Sequence, residues 1–111
     1  MGFAHVGNTV FYAGGHNGAS FEKFLRQFWM KGREKEHEGM LTARNYFPLV
    51  YYRAEEQLIA IGGNSANGYF QSVELYKIKM NVWVEFVPFP ETTAFASAVI
   101  VEPHLLYKFG G

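Results

Sequence analysis

Glutamate and histidine are the residues whose types and spacing could support chemistry in this chain. Glu34, Glu36 and Glu38 alternate within a charged run that also contains Lys35 and His37. Paired carboxylates act as general acid and base when an enclosed site shifts their pKa values. The neighbouring charges instead favour a solvated outer strand or loop, so no catalytic residue is predicted there.

The four histidines, His5, His16, His37 and His104, raise the question of a metal site. No pair of them has ligand spacing, and structural zinc needs four converging ligands. The chain has no cysteine, which excludes disulfides, thiolate metal sites and thiol nucleophiles, and no aspartate, which excludes a Ser-His-Asp triad or an EF-hand loop. We therefore predict no metal, no cofactor and no enzymatic activity.

The elements that position these residues are marked by three glycine doublets. Gly14-Gly15, Gly62-Gly63 and Gly110-Gly111 are separated by 48 residues each time, and each doublet closes an apolar run. Although Gly14 to Gly18 is glycine-rich, it lacks the Lys-Ser/Thr ending of a phosphate-binding loop. A fixed period of this length is typical of a repeat protein.

Each unit begins with two predicted strands that are joined by a short turn. The predicted turns are Gly7 to Thr9, Glu55 to Gln57 and Pro103 to Leu105. In the middle unit the first strand lies within Asn45 to Tyr52, disturbed by Pro48, and the second ends at the doublet. A loop over Asn64 to Gly68, a third strand over Ser72 to Ile78 and a fourth over Val82 to Val87 follow. The predicted fold class is all-β, with four-stranded antiparallel units.

The segment from Phe21 to Lys35 also permits another interpretation. Its aromatic and basic residues have helical spacing, which is typical of a basic amphipathic helix that binds calmodulin or a membrane surface. The gapless repeat instead places Phe24 to Phe28 on Ser72 to Tyr76, which is a predicted strand. We expect a strand here.

Composition limits the classes of function. The chain has 111 residues, 49% of them hydrophobic, which is enough for one packed domain. Ten basic residues balance ten acidic ones, so nothing predicts nucleic-acid binding. No apolar stretch approaches the roughly 20 residues of a spanning helix, and no signal peptide is visible. A cytoplasmic location without membrane contact is predicted.

The repeat resembles a Kelch repeat. Tyr76 follows Gly63 by thirteen residues and Trp83 follows Tyr76 by seven, while Arg44 matches the basic residue that often opens a unit. The likeness is weaker elsewhere, since Phe28 and Lys35 occupy the Tyr and Trp positions of the first unit and Thr92 replaces the opening arginine of the third. The resemblance implies a Kelch-type β-propeller fragment with units at 1–43, which lacks its start, 44–90, which is complete, and 91–111, which begins a third.

Kelch propellers are mainly protein-interaction modules, so the resemblance implies an adaptor or substrate receptor of the ubiquitin-ligase or cytoskeletal type. It places a protein partner at the loops after the doublets and at the segments that lead into each first strand. Fragments of a propeller enzyme such as a sugar epimerase, or a truncated product without function, are the alternatives, and open blade edges predict self-association. The implied partner-binding residues are His16, Asn17, Arg44, Asn45, Tyr46, Asn64, Ser65, Asn67 and Thr92. The implied structural residues are Gly14, Gly15, Gly62, Gly63, Tyr76, Trp83, Gly110 and Gly111.

Overall fold

The protein is all-β, as predicted, in a computed structural model that describes residues 2–66, 68–69, 72–86, 97–101 and 105–109. Two four-stranded antiparallel sheets follow each other along the chain. Sheet 1 contains, in spatial order, β1 (Gly2–Val6), β2 (Thr9–Ala13), β3 (Leu25–Trp29) and β4 (Glu34–His37). Sheet 2 contains, in spatial order, β5 (Leu49–Tyr52), β6 (Gln57–Ile61), β9 (Val73–Lys77) and β10 (Val82–Phe86). Two further hairpins are formed by β7 (Asn64–Ser65) with β8 (Gly68–Tyr69) and by β11 (Ser97–Val101) with β12 (Leu105–Phe109).

The 48-residue interval is kept by the second and third strands of each unit. Strands β2, β6 and β12 begin at Thr9, Gln57 and Leu105, and β3 and β9 begin at Leu25 and Val73. The strand prediction for the segment around Phe24 to Phe28 is therefore confirmed by β3, and the amphipathic helix is wrong. Tertiary pairing of β3 with β2 and β4 overrides the helical spacing of its aromatic residues.

The first strands do not keep the interval, because their turns differ in length. Gly7 and Asn8 alone join β1 to β2, with Gly7 at φ +61°, whereas Arg53 to Glu56 join β5 to β6 through a short 3-10 turn. As a result β5 is shifted by two residues along β6 relative to β1 along β2. A shift of two preserves which side chains face the core, since strand side chains alternate with a period of two.

Several predicted boundaries need correction. Thr9 and Gln57 belong to strands rather than turns, and the predicted loop after Gly63 contains the hairpin β7-β8. Strand β5 begins only after Pro48, which has no N–H to donate, although its carbonyl accepts a bond from Ile61 N. Residue 87, at the end of the predicted fourth strand of the middle unit, and residues 103–104, in the predicted turn of the third unit, lie outside the described residues.

The two sheets share one core. It is formed by residues of both sheets and by residues 38–48, which join β4 to β5 and are called the connecting segment. Its members include Phe11, Leu25, Met40, Phe47, Leu58, Tyr76 and Trp83. The other face of sheet 2 forms a second cluster of Val50, Tyr52, Ile59, Ile61 and Val73. Strand β1 lies beside β5, and β5 lies beside β11, so the first strands of successive units are neighbours.

Candidate partner-binding surface

The segment that connects the two sheets passes between their glycine doublets. Gly15 N donates to Arg44 O over 2.8 Å, and a Cβ on Gly14, which has φ +67°, would lie 2.5 Å from the same oxygen. Gly63, at φ +94°, lies equally close to Asn45 O, since a Cβ would again be 2.5 Å away. Only glycine allows both the left-handed backbone and this approach. The doublets thus hold the connecting segment against the ends of β2 and β6.

Arg44 lies elsewhere than the sequence indicated. It was expected to offer its guanidinium to a partner carboxylate, but its side chain is fully buried and Nη2 binds Glu74 Oε2 of strand β9 at 2.6 Å. Nη1 donates to the carbonyls of Gly62 and Ser72 at 3.1 and 3.0 Å. Arg44 therefore joins the connecting segment to sheet 2, and this structural role replaces the expected contact with a partner.

Glu74 completes this buried network. Its two carboxylate oxygens accept hydrogen bonds from the backbone N–H groups of Leu41 and Thr42 at 2.7 and 3.0 Å. Burial lowers the pKa of Arg44, while the adjacent Glu74 carboxylate acts to raise it. Because arginine keeps its proton even when buried, the pair is ionic, and together with the Glu74 backbone contacts it fixes the connecting segment from Leu41 to Arg44.

The loop after the first doublet is ordered by its own side chains. Asn17 Oδ1 accepts bonds from the N–H groups of Ala19 and Ser20, both at 2.9 Å, in an Asx-type turn. His16 Nδ1 accepts a bond from Gly18 N at 3.0 Å, and the His16 ring meets that of Phe21 edge to face at 4.8 Å. Asn17 thus shapes the loop, and His16 remains exposed on its surface.

The loop after the second doublet has a different local structure. Asn45 and Asn64 exchange two backbone hydrogen bonds, both of 2.9 Å, which attach the connecting segment to β7. Ser65 pairs with Gly68 in the β7-β8 hairpin and is half-buried. Tyr46 lies next to Asn45 and beside Gly63, and its side chain is 47% exposed. Its backbone is left-handed, at φ +52°. Asn67 and Thr92 lie outside the described residues.

A depression lies between the two loops. It has a volume of about 560 Å³ and is lined by both polar and apolar side chains. Residues of the first loop, the connecting segment and β7 line it, namely His16, Ala19, Ser20, Phe21, Thr42, Ala43, Ser65 and Ala66. Of the predicted partner-binding residues, the structure brings His16 and Ser65 together here.

Tyr76 and Trp83 occupy the interface between the sheets. Their rings lie 5.1 Å apart, and Tyr76 is fully buried against His37 of strand β4. Trp83 Nε1 donates to Glu38 O at 2.8 Å, just beyond sheet 1. Burial, with a smaller contribution from Glu38, raises the pKa of Tyr76 to about 12. Both residues fill the space between the sheets and satisfy their polar tips there.

Sequence reasoning missed two residues. One is Glu74, whose two-residue spacing from Tyr76 places both on one face of the third strand and was the available signal of a buried carboxylate. His37 had been assigned to a solvated run, but its Nε2 lies 3.0 Å from Gln27 Oε1 and its ring packs on Phe11. Glu34 and Glu36 are exposed on β4, as the solvated interpretation predicts.

Chemical machinery is not evident in the part of the chain that the structure describes. No three His or Glu side chains converge there as metal ligands. Nor does that part contain a helix that could cross a membrane. Gly110 and Gly111, predicted to end the second strand of a third unit, are outside it. The chain matches no protein-family model, and no curated protein matches it.

Proposed function

We propose that this chain is a protein-interaction module, part of a Kelch-like propeller that acts in the cytoplasm as an adaptor or substrate receptor. The observation that carries the proposal is the depression shared by two successive units. Two of its walls come from loops at the same position of the 48-residue repeat, and each of these loops follows a glycine doublet that holds the connecting segment. Binding residues commonly lie on loops that a rigid scaffold positions, which supports this role.

The chemistry of the depression fits an extended polypeptide segment. The hydroxyl groups of Ser20, Thr42 and Ser65 and the ring of His16 are groups that can bond backbone N–H and C=O. Phe21 and the alanines of the lining offer apolar surface for a partner side chain. Tyr46 follows Ala43 of the lining by three residues and is 47% exposed, so it can serve as an aromatic anchor. The arrangement combines specific polar contacts with an apolar centre, as protein interfaces do.

The rigidity of the surface supports the proposal as well. The Arg44–Glu74 pair fixes the connecting segment, and the Asx turn at Asn17 fixes the first loop. A surface ordered before binding loses less conformational entropy on association than a mobile loop does. The buried pair thus contributes to binding indirectly.

The experiment compares two ends of the molecule. The protein is immobilised, proteins retained from a lysate are identified by mass spectrometry, and each candidate is purified and its Kd measured. We expect His16→Ala with Ser65→Ala to weaken a genuine partner at least about tenfold, the effect of losing about 1.4 kcal/mol of binding free energy. Asn8→Ala with Lys31→Ala, at the opposite end, is the matched control and should leave Kd unchanged. Equal binding by both double variants, or no protein that binds after purification, would overturn the proposal.

A further inference from the structure

The face of sheet 1 that points away from sheet 2 carries an exposed apolar patch. By register, His5, Arg26, Glu34 and Glu36 share this face with it. Phe3 is 60% exposed there and Phe28 is 42% exposed. The Phe3 ring stacks on that of Tyr12 with 6.3 Å between centroids, and Tyr12 meets Phe24 edge to face at 5.8 Å. A sheet with one face in water normally carries polar side chains on that face. We call this surface, formed by Phe3, Val10, Tyr12, Phe24 and Phe28, the outer face.

The repeat indicates what kind of surface the outer face fits. Its strand positions Val10, Tyr12 and Phe28 correspond, 48 residues later, to Leu58, Ala60 and Tyr76. Phe3 corresponds to Leu49, because Phe3 pairs with Tyr12 as Leu49 pairs with Ala60. All four counterparts belong to the shared core, where they pack against sheet 1. Leu58, Ala60 and Tyr76 are completely buried there. The outer face is therefore the equivalent, on sheet 1, of a surface that another sheet covers on sheet 2.

The covering surface is also defined by the repeat. Sheet 1 covers sheet 2 with Ala4, Phe11, Ala13 and Leu25, and the structural counterparts of these residues are Val50, Ile59, Ile61 and Val73 on the far side of sheet 2. Each unit thus has two different faces, and the opposite faces of successive units meet. Strands β1, β5 and β11 are neighbours in this order, so the stack continues toward the β11-β12 hairpin.

We propose that the outer face of sheet 1 binds a second copy of this chain, which adds the β11-β12 end of its own stack. The contact continues the head-to-tail order that already exists between sheets 1 and 2. Head-to-tail contacts between identical chains form closed rings or open assemblies. The proposal concerns a surface other than the depression, so its test is separate from the test of partner binding at the depression.

Charges at the margin agree with a face contact rather than an edge contact. On the outer face the Arg26 guanidinium lies over the Phe24 ring at 4.2 Å and binds Glu36 at 3.3 Å, which gives the apolar patch a polar rim. The free edge of sheet 1 is β4, whose residues Glu34, Lys35 and Glu36 are all exposed. Charged edge strands resist pairing with other strands. Self-association through this edge is therefore disfavoured.

Sedimentation velocity of the full chain over a range of concentrations tests the proposal. We expect reversible association, weakened at least about tenfold by Phe3→Glu with Phe28→Glu, because a charge would be buried against an apolar surface. Leu41→Glu with Met80→Glu, at residues that are 53% and 68% exposed outside the stacked sheet faces, is the matched control and should associate as the parent does. Circular dichroism and thermal unfolding verify that each variant is folded.

A spin label identifies the surface that the second copy contributes. A nitroxide on Tyr107→Cys in β12, at the repeat position of Phe11 and Ile59, should broaden the amide signals of Phe3 and Val10 in an unlabelled, isotopically enriched copy. Broadening confined to β4 or β10 would show edge pairing and would overturn the proposal. A parent chain that stays monomeric at all concentrations, or association lost only in the Leu41 and Met80 variant, would also overturn it.

Discussion

At the scale of single residues, the buried pair of Arg44 and Glu74 is the strongest constraint on the structure. It unites a residue of the connecting segment with one of β9, and each partner has further backbone hydrogen bonds. Buried ion pairs contribute little net stability, but removing one partner leaves a charge without compensation. The pair matters because it fixes the connecting segment against β9 and because removing either side chain would leave the other as a buried charge without a partner.

Glu74→Gln should therefore destabilise the protein strongly. The Arg44 guanidinium would keep its charge in a buried site without an opposite charge, which costs about 3–5 kcal/mol of unfolding free energy. Urea unfolding followed by circular dichroism measures the change. Glu34→Gln on the exposed strand β4 serves as the control and should alter stability by less than about 0.5 kcal/mol. A loss below about 1 kcal/mol for Glu74→Gln would mean that the pair is not buried in solution.

His37 should make stability depend on pH. Burial, with a smaller effect of Lys35, lowers its pKa below the ordinary value of 6.5. The unfolded chain then binds the proton more readily than the folded protein, so stability is retained above pH 6.5 and is lost as pH falls through the folded-state pKa. Unfolding free energies measured between about pH 8 and about pH 5 test this, with His37→Gln as the comparison. An unchanged slope in His37→Gln would assign the pH dependence to other groups.

At the scale of elements, the doublets and the hairpin turns have different tasks. The glycines at the ends of β2 and β6 accommodate the connecting segment, whereas Gly7 merely turns the chain in open space. Both kinds of glycine have positive φ, so the sequence alone does not separate them. The difference is that a Cβ at Gly14 or Gly63 would collide with the connecting segment, whereas a Cβ at Gly7 would contact nothing within 4 Å.

A comparison of two alanine variants separates these tasks. Gly7→Ala should cost about 1–2 kcal/mol, the penalty of a left-handed backbone, because nothing lies within 4 Å of the added methyl. Gly63→Ala should cost a further ~1–3 kcal/mol, since the methyl would collide with Asn45 O and the Phe47 side chain. Denaturant midpoints measure both changes. Equal losses would contradict the close approach at Gly63.

Much of this level was predictable from the sequence, and the misses have physical causes. Interval and alternation located β2, β3, β6 and β9 because these strands are paired on both sides and keep their register. Turn lengths were not predictable, since a two-residue shift leaves the facing pattern unchanged. Arg44 was assigned to the surface because its partner Glu74 is 30 residues away, and only the fold brings them together.

At the scale of the whole molecule, sheets 1 and 2 share one hydrophobic core and cannot separate without exposing it. Phe11 and Leu25 of sheet 1 belong to the same cluster as Leu58 and Tyr76 of sheet 2. The depression depends on this joint packing, because its walls belong to both units and to the segment between them. The partner-binding surface thus requires two intact units.

The shared core predicts that the two sheets open as one unit. In native-state hydrogen exchange, the amides of Leu25 in β3 and Leu58 in β6 should open with the same free energy and the same denaturant dependence. Their hydrogen-bonded strands both lose their packing when the common core is exposed. The amides of the terminal strand β4, which is exposed, provide the comparison and should exchange by smaller fluctuations. Distinct opening energies for Leu25 and Leu58 would mean that the sheets unfold separately.

The unequal hairpin turns bear on how such a chain can change in length. Residues 14–24 and 62–72 link the second and third strands with identical lengths, whereas the turns before β2 and β6 have two and four residues. Insertions are absorbed where the strand can slide by two positions and where exposed turns tolerate them. Over evolutionary time, length variation should accumulate at the end opposite the doublets. The same end, at Gly7 and Asn8, offers a place to graft a peptide epitope without disturbing the depression.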